Sequence, residues 1–400
     1  MSEPITYLQH WDRTDAFDPP AVLRELGAEQ PLSRMVYPDG HVGWLATGLE
    51  VAKEVLSSPA FSHNFHSAHF PVTKKGEPFP AMPIIPGMFI HMDPPEHTRY
   101  RTMLTGEFTT HRMAALGERI EVAAAEQLTT LRGLGSPADL VTGYVQPLCR
   151  TVLNDLLGLS AGSGAVLARL SETANDDDVP VEDEFAASKE AFLHLRDLVE
   201  KERADPGDSM IGRLTGVPGL TDREITNMLL VVFAAGLTTC EGALAATSLA
   251  LLHHRDQLAA FRETCASGAG VPNAVEELLR YTTVNQYQIF RTALSDVEVG
   301  GHLVRAGDTV TISLPAANRD GSRFAHPDLL DLDRDPSGHL AFGYGVHICL
   351  GQRLARTLLT IALRTLVTGL PELTLDGPVD AVRLRSRTPV FSVHELLVRW

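Results

Sequence analysis

The amino-acid sequence predicts a mainly helical fold, built as one large domain with small β-sheets. Three observations support this prediction. One long apolar segment in the middle of the chain carries the start signal of a helix, strand signals are few and occur late, and neither an internal repeat nor a Gly/Ser-rich linker divides the 400 residues. Chain length alone favours two or three domains, but no alternation of strands and helices indicates an open α/β sheet.

The long apolar segment is predicted to be a helix through the core. Thr221 and Glu224 form a capping box, and the apolar residues that follow reach Leu252. This gives a helix of about 30 residues, about 45 Å long, which is apolar nearly all round and should therefore be buried. Gly236 and Gly242 inside it cost about 1 kcal/mol each relative to alanine, so we expect a close approach there by a ligand or by a packing helix.

Four short strands, two of them in a hairpin, are predicted near the C-terminal end. Residues 297–304 indicate a hairpin that turns at Gly300 and Gly301. Residues 309–313 and 396–400 indicate two further strands. Such short strands beside long helices favour a helical body with small sheets.

Charge and termini exclude several kinds of partner. The formal net charge of −16 argues against nucleic acid. The first residues lack the basic and apolar regions of a signal peptide, and the uncharged stretch 225–240 is too short for a membrane span before Glu241 interrupts it. We therefore expect a cytoplasmic protein that binds neither nucleic acid nor membrane.

The four widely spaced cysteines favour neither a disulfide framework nor a zinc site.

One of the four, Cys349, occurs in an informative segment. Gly343 and Gly345 allow a tight loop, and a helical sequence follows the cysteine. The positive end of that helix and its free backbone N–H groups would stabilise a thiolate and tune it as a metal ligand. A buried structural cysteine is the ordinary alternative, but the glycine spacing, the preceding Phe342 and the helix together favour a ligand.

Residues 342–351 resemble the cytochrome P-450 signature, Phe-Gly-x-Gly-x-(His or Arg)-x-Cys-x-Gly, at every fixed position. The resemblance implies haem b with Cys349 as the axial thiolate ligand, which pushes electron density into the iron. It also places Phe342, Gly343 and Gly351 against the cofactor. The similarity extends over roughly residues 40–400 and is strongest to actinobacterial enzymes that tailor secondary metabolites.

A Glu-x-x-Arg element supports the resemblance. Glu277 and Arg280 share a helix face, and on their own would be a surface ion pair worth less than about 1 kcal/mol. In the family this pair is buried and fixes the segment that carries the cysteine. Arg334 matches the third member of that network.

Four cationic side chains are expected to hold the haem propionates. Prolines start a helix at residue 94, which places His97 and Arg101 on one face. The resemblance implies that both bind a propionate, together with Arg291 and His347, as charge-assisted donors to carboxylates. Taken singly, each could be a solvated cation.

Residues 235–239 match the family's Ala-Gly-x-(Asp or Glu)-Thr. The resemblance implies that Ala235 and Gly236 let the helix lie over the haem and that the Thr239 hydroxyl takes part in dioxygen activation. The acid that normally relays protons is replaced by Thr238, and Glu241 lies two residues beyond Thr239 on another face. An ordered water or a polar group of the substrate must then complete the proton route.

The resemblance implies oxidation of a bulky small molecule, such as a polyketide or macrolide, with O2. Electrons would come from a ferredoxin and its NAD(P)H-dependent reductase, because the chain has no reductase domain. An acidic ferredoxin would dock on the cysteine side, where we expect Arg99, Arg112, Arg353 and Arg356. The alternatives are ring closure or phenol coupling on the same fold, favoured by Thr238, and a non-enzymatic haem sensor or carrier, in which Thr239 has no role.

The substrate pocket is predicted by region and is mostly apolar, as ligand pockets usually are. Its expected residues lie before the propionate helix, on the long helix, after the Glu-x-x-Arg and near the C-terminus: Met82, Ile85, Met88, Phe89, Val232, Phe233, Val284, Gln286, Tyr287, Val390 and Phe391.

Two further patterns are assigned no site. His63, His66 and His69 have metal-ligand spacing, but no nearby carboxylate or cysteine completes a site. Residues 176–178 and 182–184 are all acidic and are expected to form a solvated loop near the substrate entrance.

Overall fold

The computed structural model describes residues 4–6, 13, 15–74, 76–79, 82–174, 179–386 and 388–400. Helices dominate the described residues. They are Ala21–Glu29 (α1), Leu49–Ser57 (α2), Glu96–Thr105 (α3), Thr110–Leu134 (α4), Gln146–Leu157 (α5), Ala161–Ala174 (α6), Val181–Ala204 (α7), Met210–Thr215 (α8), Asp222–His253 (α9), Arg255–Ser267 (α10), Val271–Thr282 (α11), Leu314–Ala317 (α12) and Gln352–Gly369 (α13).

The strands are short and form small sheets, as the fold class predicts. They are Ile5–Thr6 (β1), Leu32–Val36 (β2), Val42–Ala46 (β3), Phe61–Ser62 (β4), Thr73–Lys74 (β5), Glu77–Pro78 (β6), Ala138–Asp139 (β7), Phe290–Ala293 (β8), Val297–Val299 (β9), His302–Val304 (β10), Thr309–Ile312 (β11), Thr374–Leu375 (β12), Arg383–Arg385 (β13), Ser392–Glu395 (β14) and Leu397–Arg399 (β15).

The largest sheet has the strand order β1-β2-β3-β11-β8-β4. The predicted hairpin is confirmed as β9 and β10, which pair antiparallel, and the other two predicted strands correspond to β11 and β15. The expectation that strands occur only late was wrong, because β1 to β4 come from the first 62 residues. These strands are stabilised by distant partners: β3 pairs with β11 and β4 pairs with β8.

The predicted core helix is confirmed as α9. The Thr221 hydroxyl accepts from the backbone N–H of Glu224, and the Glu224 carboxylate accepts from the backbone N–H of Thr221 at 2.8 Å. Glu224 also accepts from the Tyr100 hydroxyl at 2.6 Å, which ties α3 to the start of α9. The helix is long and apolar enough to cross a membrane, but 61% of its most apolar window is buried against the rest of the protein.

Protein packing explains both glycines in α9. A Cβ on Gly236 would lie 2.9 Å from the Leu153 side chain of α5, and a Cβ on Gly242 would lie 2.7 Å from the Phe391 carbonyl. Of the two explanations left open by the sequence, a ligand or a packing neighbour, the structure supports the neighbour. The predicted role of Gly236 beside the haem stays a prediction.

The acidic cluster is also corrected in part. Glu182, Asp183 and Glu184 lie in the first turn of α7 rather than in a loop. Acidic side chains are favourable there because the N-terminal end of a helix carries partial positive charge. The acidic residues 176–178 lie outside the described part of the chain.

Candidate functional site

The loop before α13 fixes the position of Cys349. Gly345 has a φ of +73°, and a Cβ there would lie 2.3 Å from the Leu56 carbonyl at the end of α2, so only glycine fits. The Cys349 N–H donates to the Phe342 carbonyl at 2.9 Å, which closes the loop. Gly351 is the N-cap of α13, so the cysteine lies just before the helix, as predicted.

The Cys349 side chain opens on a space inside the protein. The side chain is exposed to solvent-sized space, yet burial is the largest influence on the pKa of its thiol. A side chain can be both exposed and deeply placed when it faces an internal cavity. Burial raises the pKa of the thiol, while the Gly351 N–H and the charges of Arg101 and Arg356 act in the opposite direction. A bound cation would add the charge needed to hold a thiolate.

Helix α9 passes the other side of this space. Ala235 is exposed although its helix is the core of the protein, and the Thr239 hydroxyl donates to the Ala235 carbonyl at 2.7 Å. Cys240, the next residue, is close enough to Cys349 to feel its charge: burial and then Cys349 raise the pKa of Cys240 to about 12. The open face of α9 is therefore that of Ala235 and Thr239, not of Gly236.

The four predicted propionate ligands come together beside the cysteine loop. The rings of His97 and His347 are 4.1 Å apart. Arg101 donates to the Ile348 carbonyl at 2.6 Å, and the buried Arg291 donates to the Phe290 carbonyl at 2.8 Å.

These four side chains, two guanidinium groups and two imidazoles that can donate hydrogen bonds, fit an anionic group. Among the described residues, both His97 ring nitrogens and Nε2 of His347 are buried without a hydrogen-bond partner. Burial and the neighbouring arginines lower the pKa of His97 to about 4 and that of His347 to about 2. Buried guanidinium groups and unpaired imidazoles are costly unless an anion satisfies them. The two carboxylates of haem b have the charge that this cluster requires.

His63 belongs to the same cluster, and the sequence analysis missed it. Its ring lies 4.8 Å from that of His347, both its ring nitrogens are buried and unpartnered among the described residues, and burial and Arg291 lower its pKa. The spacing of His63 with His66 and His69 concealed this role. His69 instead hydrogen-bonds Asp39 at 2.6 Å, on the far side of the loop.

The Glu-x-x-Arg pair is fully buried. Arg280 donates to both carboxylate oxygens of Glu277, at 2.7 and 2.8 Å, and Arg334 donates to Glu277 at 3.1 Å. Arg280 also donates to the Asn318 carbonyl, and the Asn318 side chain accepts from the backbone N–H of Leu340 at 2.6 Å. These hydrogen bonds therefore connect the buried Glu277–Arg280 pair to Leu340, two residues before Phe342 at the start of the cysteine loop.

Five of the eleven predicted pocket residues are partly open to solvent-sized space. Met82, Ile85, Met88, Val232 and Val284 are partly exposed. The other six are buried and fit less well: Phe89, Phe233, Gln286, Tyr287, Val390 and Phe391.

Three of these six have other neighbours. Phe233 is 1% exposed within the main core, and Tyr287 packs in a small cluster with Met35 and Leu45 of the large sheet. Gln286 donates to the carbonyls of Ser386 and Thr388. The structure does not place these three side chains against the open space.

The expected basic surface is weaker than the sequence indicates. Arg99 pairs with Glu224 at 2.8 Å, and Arg356 pairs with Glu276. Arg112 lies 3.8 Å from Glu107. Arg353 donates only to the Thr110 hydroxyl, at 3.1 Å, among the described residues. Three of the four expected arginines, all except Arg353, therefore lie within 3.8 Å of a carboxylate among the described residues.

We call His63, His97, Arg101, Arg291 and His347 the anchor cluster, and we expect these side chains to hold the haem collectively. Because several cations share two carboxylates, His63→Ala, His97→Ala, Arg101→Ala and Arg291→Ala should each lower haem retention only in part, and combined variants should lose most of the haem. Haem retention is measured by transfer to apomyoglobin over time. Lys53→Ala, which removes a partly exposed cation on α2, is the control. Wild-type retention in the quadruple variant would contradict the assignment.

The chain is similar, over its whole length, to known proteins of one family. The cytochrome P-450 family model matches residues 271–370. A curated relative, cytochrome P-450 105C1 of a Streptomyces species, is 35% identical, with 100% of each chain covered.

Solved structures agree. The crystal structure of CYP105P1 in complex with filipin I matches with a TM-score of 0.92 and 33% identity, covering 100% of this chain and 99% of that one. The mycinamicin VIII C21 methyl hydroxylase MycCI of Micromonospora griseorubida, bound to mycinamicin VIII, matches with a TM-score of 0.89 and 30% identity, covering 99% and 100%. These full-length matches show that the chain belongs to the cytochrome P-450 family of haem-binding monooxygenases.

Proposed function

We propose that this enzyme oxidises a bulky polyketide or macrolide-like substrate, with Cys349 as the axial ligand of haem b and electrons from a ferredoxin. The observation that carries the proposal is the cluster of Arg101, Arg291 and the buried ring nitrogens of His97 and His347, without partners among the described residues, beside the exposed Cys349. Haem b, when bound, supplies the redox chemistry that activates dioxygen.

The residues of this chain have separate tasks around that group. Arg101, Arg291, His97 and His347 would bind the propionates and so fix the orientation of the ring. The Gly351 N–H, which donates to the Cys349 sulfur, withdraws charge from the ligand and so tunes it. The Thr239 hydroxyl lies on the open face of α9, where it can hold or pass a proton.

The substrate class is supported by the pocket and by two relatives. Met82, Ile85 and Met88 are partly exposed on a loop with little regular structure, and such segments adapt to large ligands more readily than helices do. The relatives whose structures contain filipin I and mycinamicin VIII have the same fold over essentially the whole chain. We therefore expect an apolar ligand larger than a simple terpene or fatty acid.

A binding screen tests the substrate class. Macrolides and linear polyketides are titrated into the ferric protein, and displacement of water from the iron is followed by the shift of the haem absorption band. We expect a shift with at least one macrolide and none with short fatty acids of equal hydrophobicity. Shifts with fatty acids alone would contradict the substrate class. Product masses then separate hydroxylation, which adds one oxygen atom, from ring closure, which removes two hydrogens.

A further inference from the structure

A polar chamber lies on the face of α9 that carries Thr238. It has a volume of about 220 Å3, enough for several water molecules. Its walls come from α5, α6, α9 and the C-terminal segment. The polar residues that line it are Gln146, Arg150, Ser171, Glu172, Thr238, Glu241, Arg385, Thr388, Ser392 and His394.

Glu241 and Arg150 face each other in this chamber without a hydrogen bond. Glu241 Oε1 and Arg150 Nε are 3.8 Å apart, and within the described ranges both atoms are buried and have no hydrogen-bond partner. The Arg150 guanidinium is instead held at 2.6 Å by Glu172, which is half-exposed. A buried carboxylate oxygen without a donor is normally satisfied by water, so the gap between these two side chains is a site for bound water.

Thr238 and Glu241 are on the same face of α9, because residues three apart on a helix are neighbours. The Thr238 hydroxyl shares a hydrogen bond with Ser171 of α6. Thr239, the next residue, lies on the open face of α9. Within the chamber lining, Thr238 is the residue directly adjacent in the chain to Thr239.

The environment of Glu241 keeps its proton available near neutral pH. Burial raises the pKa of Glu241 to about 7; Arg150 and Arg385 lower it and Glu172 raises it. Cys149 and Cys240, which lie close by, have their own pKa values raised by burial and are uncharged at neutral pH. His394 lines the same chamber. A carboxyl group with a pKa near the working pH can both give and regain a proton.

We propose that Glu241 is the internal proton donor for oxygen activation, acting through chamber water and the Ser171–Thr238 hydroxyl pair, in place of the acid that the family has at position 238. The inference rests on the family's monooxygenase activity and not on the substrate class. The reaction consumes the substrate, O2, two electrons from the ferredoxin and two protons, and releases the hydroxylated product and water. Glu241 gives a proton, is left as a carboxylate beside Arg150, and regains a proton from solvent through the chamber.

Glu241→Gln tests the proposal because it keeps the shape and removes the proton. We expect about tenfold less product per NAD(P)H consumed, which is less than the roughly 10²–10⁴-fold contribution of a general acid because water replaces the acid in part, with the lost electrons appearing as peroxide. Hydrogen peroxide, which brings its own oxygen atoms and protons, should support product formation equally in both proteins. Glu190→Gln, which alters an exposed glutamate paired with Arg169, should match wild type. Wild-type coupling in Glu241→Gln overturns the proposal, whereas absence of product in every protein would count against the substrate class instead.

A pH profile separates proton donation from a structural role. A raised pKa means that Glu241 is protonated below about pH 7 and ionised above it, so wild-type coupling should fall as the pH rises through 7, and Glu241→Gln should show no such step. Arg150→Met removes a charge that favours the carboxylate and should move the step to higher pH.

Infrared spectroscopy of the carbon monoxide complex gives a readout independent of turnover. We expect a protonated carboxyl band that titrates near pH 7 in wild type and Glu190→Gln and is missing in Glu241→Gln. If wild type has no such band, or if Glu241→Gln keeps it, the proposal is wrong.

Discussion

Glu277→Ala and Arg280→Ala are each expected to destabilise the fold by about 3–5 kcal/mol, because each removes one member of a fully buried ion pair. Arg280 is the largest side chain among the fully buried residues, so its truncation also opens a cavity. In Glu277→Ala both Arg280 and Arg334 lose their carboxylate. Urea denaturation of purified protein and the haem content of freshly expressed protein measure the two effects.

An exposed pair with the same sequence spacing is the control. Lys53 and Glu50 are also three residues apart and form a 2.8 Å ion pair, but the Glu50 side chain is 79% exposed. Glu50→Ala should cost less than about 1 kcal/mol, since exposed pairs contribute little. Equal losses in Glu50→Ala and Glu277→Ala would show that burial of the Glu-x-x-Arg network does not matter.

Replacement of Cys349 is expected to abolish substrate oxidation altogether. Cys349→Ala removes the only side chain that we assign to the iron, and Cys349→His offers a neutral ligand that cannot push electron density as a thiolate does. The anchor cluster does not depend on the sulfur, so we expect Cys349→His to keep part of its haem.

Product formation with a surrogate ferredoxin and reductase, normalised to haem, is the measurement for the Cys349 variants. Cys265→Ala, which alters a free, partly buried cysteine in α10, should have wild-type activity. Full activity of Cys349→Ala would exclude this cysteine as the ligand.

Elements with strong local signals were predictable. The capping box and the unbroken apolar stretch gave α9 to within one residue of its end, and the Gly-Gly turn located the β9–β10 hairpin. The strands β2 and β3 were not predictable, because they lack clean alternation of buried and exposed residues. Gly43 in β3 is required by the close approach of the Thr309 carbonyl, 2.3 Å from where its Cβ would be, and such long-range pairing has no local signature.

In the site, residue types were predictable from the family motif but side-chain directions were not. The side chains at 97, 101, 291 and 347 lie close to the cysteine loop, and their binding of haem stays a prediction. The sequence could not indicate that Gly236 packs against Leu153 of α5. The sequence spacing correctly separated Glu241 from Thr239, but it did not reveal the chamber that Glu241 shares with Thr238, because its walls come from four separate parts of the chain.

The carbon monoxide spectrum of the reduced protein tests the central claim most directly, since the position of the haem band depends on whether a thiolate is the axial ligand. Wild type should show the strongly red-shifted band of thiolate-ligated haem. Cys349→His should show the unshifted band of histidine ligation at measurable haem content, and Cys265→Ala should match wild type. An unshifted band in wild type, or a red-shifted band that persists in Cys349→His, would contradict the assignment of Cys349 as the haem ligand.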